Sequence, residues 1–114
     1  MLLDPITGSL DRYMTLLSER QSLVSSNIAN ADTPGYKTKD IDFESAFRNA
    51  MSGMPPEAEE VSGLTLKDDG NNVSLERESR LLAENQMRFS IASNFLRSQL
   101  RLTRMAIEGN STQS

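Results

Sequence analysis

The sequence predicts an all-α chain. Long N- and C-terminal helices form an elongated helical hairpin or coiled coil, with a turn, a short extended segment, a short helix and a flexible acidic linker between them. Three observations carry this. Leu10, Met14, Leu17, Gln21, Val24, Ile28 and Ala31 fall at alternating steps of four and three, the seam of a helix laid against another helix. A second apolar periodicity runs from about Ser74 to Glu108 with no Pro or Gly inside it. Between the two, Thr33-Pro34-Gly35-Tyr36 is a turn: Pro34 pre-sets φ, and Gly35 supplies the positive φ of a type II third position.

The first helix has a plausible start at Asp4-Pro5, with Asp4 as N-cap and Pro5 in the first helical position. Gly8-Ser9 weakens that turn and shifts the firm start to Ser9. Opposite the seam lie Asp11, Arg12, Glu19, Arg20, Ser22, Ser26 and Asn30. Gln21 is the one polar residue on the seam and reads as a register marker. Pro34 disfavours the α region at Thr33, so the helix ends near there, and Asn27, Asn30 and Asp32 are short polar side chains suited to its frayed end.

Residues 37–43 alternate polar and apolar, as a short extended segment does. Asp42 then caps a small amphipathic helix with Phe43, Ala46, Phe47, Ala50 and Met51 on one face. From Ser52 prolines, acids and small residues replace the periodicity, which reads as linker. The chain divides into 1–52, a flexible linker at 53–72, and a C-terminal helix at 73–114, one structural domain overall. Gly109 is the natural cap of the last helix, and the polar tail after it reads as frayed.

The last helix is apolar on two sides. Leu75, Leu82, Phe89, Leu96, Leu100 and Ile107 form one stripe; Met87, Ile91, Phe95, Leu102 and Met105 form a second, roughly opposite. The first is expected to cover the N-terminal helix, with Leu82, Phe89 and Leu96 packing on Leu10, Met14, Leu17, Val24 and Ile28. The second has no partner inside so small a chain, so Ile91, Phe95, Leu102 and Met105 are expected to form an assembly interface.

Composition narrows the chemistry. The 114 residues contain no Cys and no His, which removes disulfides, thiolate metal sites and the commonest general base. A net charge of −4 argues against nucleic-acid binding. The acidic Asp68-Asp69-Gly70-Asn71-Asn72 lacks the ligand spacing and closing Glu of a calcium loop and reads as a turn. The only candidate catalytic carboxylates, Glu57, Glu59 and Glu60, sit on the linker, where no pocket would shift their pKa values. No catalysis, cofactor, metal or small-molecule substrate is expected. No cleavable signal is expected from Met1-Leu2-Leu3-Asp4-Pro5, and no run is long enough to insert into a membrane.

The string Ser25-Ser26-Asn27-Ile28-Ala29-Asn30-Ala31-Asp32-Thr33-Pro34-Gly35-Tyr36-Lys37 closely resembles the N-terminal signature of bacterial flagellar axial proteins, with Asn27, Asn30, Thr33, Pro34, Gly35 and Tyr36 as its motif residues. Residues 69–76 and 82–89 resemble the C-terminal signature of the FlgB family of proximal rod proteins. Hook and distal rod subunits share the first signature but carry added domains for which this chain is too short. The resemblance implies a structural subunit of the proximal rod, exported through the flagellar type III apparatus without a cleaved signal peptide and assembled in the periplasm. Implied partners are neighbouring rod subunits, the FliE adaptor, the MS ring and the export apparatus. The rival reading is a soluble helical adaptor or secretion chaperone that binds one partner reversibly through the same stripes.

Overall fold

Twenty-five residues of helix, a turn, and thirty-nine more residues of helix set the shape. A computed structural model describes residues 5–113, with side chains through Gly109. The first helix, α1, runs Pro5–Ala29; the last, α3, runs Leu75–Gln113. Between them come a two-residue strand β1 (Lys39–Asp40), the helix α2 (Phe43–Met51) and a second two-residue strand β2 (Glu59–Glu60). At 1.5 Å per residue α1 is about 37 Å long and α3 about 58 Å, so α3 must overhang its partner. The molecule measures 72 × 26 × 17 Å, and its radius of gyration is 19.0 Å, against about 13 Å for a compact domain of this length. Asp4, the expected N-cap of α1, lies outside the described residues, as does Ser114.

α1 and α3 are antiparallel. Asn27 meets Glu78, Gln21 meets Asn85, and Tyr13 meets Arg88 along their shared length. Leu17 and Val24 are buried on the expected seam of α1, with Leu10, Met14, Gln21 and Ile28 half-buried. Gln21 accepts a long hydrogen bond from Asn85 Nδ2 at 3.4 Å across the interface.

On α3 the expected stripe is displaced. The buried residues are Glu78, Leu81, Asn85 and Ala92, continued by half-buried Leu96, Gln99 and Thr103. This line falls between the two apolar stripes. Leu96, from the expected stripe, lies on this line, Leu82 is a half-buried flank, and Phe89, expected in the interface, is 39% exposed and lines an open groove with Leu17 and Gln21. Small and polar side chains such as Asn85, Ala92 and Ser93 let two helices approach closely. Large ones are then pushed to the rims.

α1 carries a second contact on the face expected to be exposed. Leu16, Ile41 and Ala46 form a buried cluster, with Leu23, Phe43, Phe47 and Ala50 packed against it. Tyr13 meets Phe43 and Phe47 edge-on, at centroid separations of 5.4 and 6.1 Å. α2 therefore lies on α1, which half-buries Arg12 and Arg20. Asp42 caps α2, its carboxylate accepting from Ser45 Oγ at 3.0 Å.

α1 is helical from Pro5 onward, straight through Gly8-Ser9, so of the two starts read from the sequence the earlier one holds. The end of α3 differs from expectation. α3 is helical through Gly109, which lacks the positive φ of a left-handed cap. With no proline after it, the polar tail continues the helix, at the ~1 kcal/mol an interior glycine costs. At its other end Ser74 is the N-cap, its Oγ accepting from Arg77 N–H at 3.2 Å.

Candidate functional site

The turn end is built outward from the end of α1. Asn30 closes the last turn: its Nδ2 donates to Ser26 O at 2.8 Å, and its Oδ1 accepts from Thr33 Oγ1 at 3.0 Å. Tyr36 N–H returns to Thr33 O at 3.2 Å across Pro34-Gly35, and Gly35 has φ +76°, the geometry of a type II turn. Residues 67–72 dock on this turn. Gly35 N–H donates to Asp69 O and Asn72 N–H to Tyr36 O. Asn71, fully buried, donates from Nδ2 to both Asn30 O and Thr33 O at 2.8 Å. Lys67 Nζ caps Ala31 O, and Lys37 Nζ caps Gly70 O. The Asp69 carboxylate accepts from Asn71 N–H at 3.0 Å, so it serves as an Asx turn.

Beneath the turn, polar groups join α1, β1, the turn and α3. Asn27 is 1% exposed. Its Nδ2 donates to Lys39 O at 2.8 Å and to Glu78 Oε1 at 2.6 Å; its Oδ1 accepts from Lys39 N–H at 3.1 Å and Tyr36 OH at 3.0 Å. One amide thus ties α1 to β1, the turn and α3. The other Glu78 oxygen accepts from Arg77 at 2.6 Å, and Arg77 also reaches Asp40 at 2.7 Å. Arg20 from α1 makes a two-pronged contact with the same Asp40, at 3.0 and 2.9 Å. Burial pushes the Asp40 carboxyl up, but the hydrogen bond and charge of Arg20, then the hydrogen bond from Arg77 and the Ile41 N–H, outweigh it. The carboxyl is held below the ordinary aspartate range. β1 pairs antiparallel with β2, Lys39 opposite Glu60 and Asp40 opposite Glu59, which fastens residues 59–60 to the same cluster.

Sequence reasoning found Asn27, Asn30 and the turn but missed Glu78, Arg77, Asp40 and Arg20. Glu78 falls on neither apolar stripe, and Arg20 falls on the face of α1 opposite the seam. A search for polar as well as apolar residues at heptad spacing would have caught the Glu78, Leu81, Asn85 and Ala92 line.

The other expected site residues lie on α3 away from this cluster. Ile91, Phe95, Leu102 and Met105 are 62, 47, 59 and 58% exposed. Ile91 and Phe95 border a shallow groove with Leu10 and Tyr13; Leu102 and Met105 stand on the overhang. Among the described residues no helix is long and apolar enough to cross a membrane.

The buried carboxylates of Asp40 and Glu78 hold helices and backbone in register, while a set of large apolar groups on α3 faces outward. That division defines a structural subunit, a helical hairpin made to be packed by other molecules. A family profile described as "Flagella basal body rod protein" matches residues 14–37, the second half of α1 and the turn. The chain is 33% identical over 109 residues to the flagellar basal body rod protein FlgB of Borreliella burgdorferi, covering 73% of this chain and 81% of that one. It is 30% identical over 137 aligned positions to FlgB of Salmonella typhimurium, covering 95% and 99%, and 30% identical to FlgB of Yersinia ruckeri, covering 88% and 93%. The chain belongs to the FlgB family of flagellar basal body rod proteins. It is a structural component of the basal body rod, and the adaptor or chaperone reading is set aside.

Proposed function

We propose that this protein is a proximal rod subunit that assembles with copies of itself and with other rod components through α1 and α3. In this reading it leaves the cytoplasm through the flagellar type III export apparatus and lies in the periplasmic rod. The FliE adaptor and the MS ring are its neighbours on the membrane side. The observation that carries it is the outward apolar face of α3, Ile91, Phe95, Leu102 and Met105, in a chain whose relatives are rod proteins. Covering such half-exposed side chains is worth roughly 1–2 kcal/mol each, enough in sum to hold a contact repeated along a polymer.

The chain's lack of cysteine makes the test direct. Leu102→Cys and Met105→Cys variants, expressed in a motile strain, are treated with a short bismaleimide in isolated basal bodies. Crosslinks to rod components are expected from both positions and not from Glu57→Cys. Crosslinks from Glu57→Cys alone would overturn the assignment of the interface to α3.

A further inference from the structure

Asp69-Gly70 is the one Asp-Gly step in the sequence, and there is no Asn-Gly step. A glycine after an aspartate leaves that peptide open to self-attack, because no side chain keeps the glycine nitrogen from the neighbouring carboxyl. In this structure the nitrogen is engaged. Gly70 N–H donates to Lys67 O at 2.9 Å, and the Asp69 carboxylate is turned forward to accept from Asn71 N–H at 3.0 Å. The peptides on either side are pinned as well. Asp69 O accepts from Gly35 N–H at 2.9 Å, Gly70 O accepts from Lys37 Nζ, and Lys67 N–H donates to Asn71 O at 2.8 Å. Gly70 lies so close to the turn that a Cβ built on it would stand 3.4 Å from the Gly35 Cα. Asp69 itself is exposed. Hydrogen bonding, not burial, restrains this step.

We propose that Asp69 is a site of isoaspartate formation, closed while residues 67–72 are docked on the Pro34-Gly35 turn and open when they are released. In the released loop Gly70 N attacks Cγ of the protonated Asp69 carboxyl. An N–Cγ bond forms, and the carboxyl hydroxyl leaves with the amide proton as water, giving a five-membered succinimide. Water then adds at the former backbone carbonyl of Asp69. The bond from that carbon to Gly70 N breaks, and the chain continues through Cγ. One water is lost and one gained, so composition is unchanged and no oxidant or cofactor is needed. The main chain is now one carbon longer at this step, and the carbonyl that faced Gly35 has become a free carboxylate. A longer step cannot keep both that contact and the reach of the buried Asn71 amide to Asn30 O and Thr33 O. The modification is therefore a one-way mark. A chain that closes its turn end is spared, and a chain held open loses the means to close it. This chemistry does not depend on what the chain packs against.

The test ages the purified full chain at one temperature and pH, in buffer and in enough guanidinium chloride to abolish its helical circular dichroism. Isoaspartate is counted with an isoaspartyl methyltransferase and labelled S-adenosylmethionine, and placed at Asp69 by fragmentation of the peptide that contains it. The chain in buffer should form it at least about tenfold more slowly, because the reaction then passes only through the opened loop. Asn71→Ala removes the loop's two bonds to the end of α1. Its rate in buffer should move toward the denatured one, whether the substitution frees the loop alone or unfolds the chain. Isomerised chains, separated and returned to buffer, should exchange the Gly35 and Asn72 amide hydrogens about tenfold or more faster than unaltered ones. Equal rates in buffer and denaturant, no isoaspartate at Asp69 in denaturant, an Asn71→Ala rate as slow as that of the unaltered chain, or an isomerised chain with unchanged exchange at Gly35 would each overturn the proposal.

Discussion

Asn27 is the single side chain on which the most depends, and two substitutions separate its roles. Asn27→Ala removes four hydrogen bonds at a site only 1% exposed. Tyr36 OH keeps a neighbour in Ser26 Oγ at 3.4 Å, and Glu78 keeps Arg77 on its second oxygen. The part-buried Lys39 N–H and the buried Glu78 Oε1 are the two groups that lose their partner without another nearby. At about 1–3 kcal/mol for each of these two groups left unpaired, the loss comes to roughly 2–6 kcal/mol. That is a large share of the 5–15 kcal/mol typical of a folded domain. Asn27→Asp has nearly the same shape and keeps the acceptor that serves Lys39 N–H and Tyr36 OH. It removes both donors, however, and sets a carboxylate where the amide now lies 2.6 Å from Glu78. Two carboxylates at that distance cannot both stay ionised without cost, so the pair binds a shared proton readily. The two variants should therefore behave differently with pH. In urea melts followed by far-ultraviolet circular dichroism, Asn27→Ala should lose about the same stability from roughly pH 5 to pH 8. Asn27→Asp should be at least as damaged at neutral pH and recover on acidification, because the folded state then holds a proton the unfolded state does not. A loss below about 1 kcal/mol for Asn27→Ala, or no pH dependence for Asn27→Asp, would refute the idea that this amide closes the hairpin.

Two further predictions follow from the packing and the charges. Leu81→Ala and Leu17→Ala, both at buried sites, should each cost roughly 2–5 kcal/mol of subunit stability; Phe89→Ala should cost less than either, because the ring is on the rim, and denaturant melts ranking it first would restore the stripe read from hydrophobicity alone. The Asp40 carboxyl titrates lower folded than unfolded, so its contribution is fully present above the ordinary aspartate pKa near 3.8 and is lost as pH falls through the lowered folded value. The stability gap between the unaltered chain and Asp40→Asn should accordingly be constant from about pH 5 to 7 and shrink below about pH 4; a gap that widens on acidification would contradict the pairing with Arg20 and Arg77.

Much of the architecture is readable from residue type and spacing alone. Period fixes the two long helices, Gly35 marks the positive-φ turn, and Asp42 with its following apolar face marks α2. The displaced seam of α3 is unreadable for a definite reason. A hydrophobicity pattern ranks Phe89 above Asn85 and Ala92 as a contact residue, yet close helix approach ranks them the other way. Glu78 and Arg20 fail for a related reason. A carboxylate or guanidinium is solvated by default, and only a partner supplied from elsewhere in the chain, Asn27 and Arg77 for the one and Asp40 for the other, makes burial tolerable. Asn71 looked like part of an acidic linker, but its amide finds two carbonyls that the end of α1 leaves free.

The distribution of these interactions along the molecule bears on how such a subunit would serve a polymer. Specific, directional bonds crowd the turn end, where α1, β1, the docked loop and the start of α3 are held in a single arrangement. Toward the other end contacts thin to one face of α3, and past the start of α1 the helix runs on with its apolar groups exposed. A helical segment of that length gains little from its own hydrogen bonds and depends on lateral packing for its stability. Order at the turn end is therefore built into the chain, while the overhang carries little internal packing of its own. In the proposed assembly that asymmetry would give a fixed shape to present to the next molecule and a helix whose burial makes joining favourable.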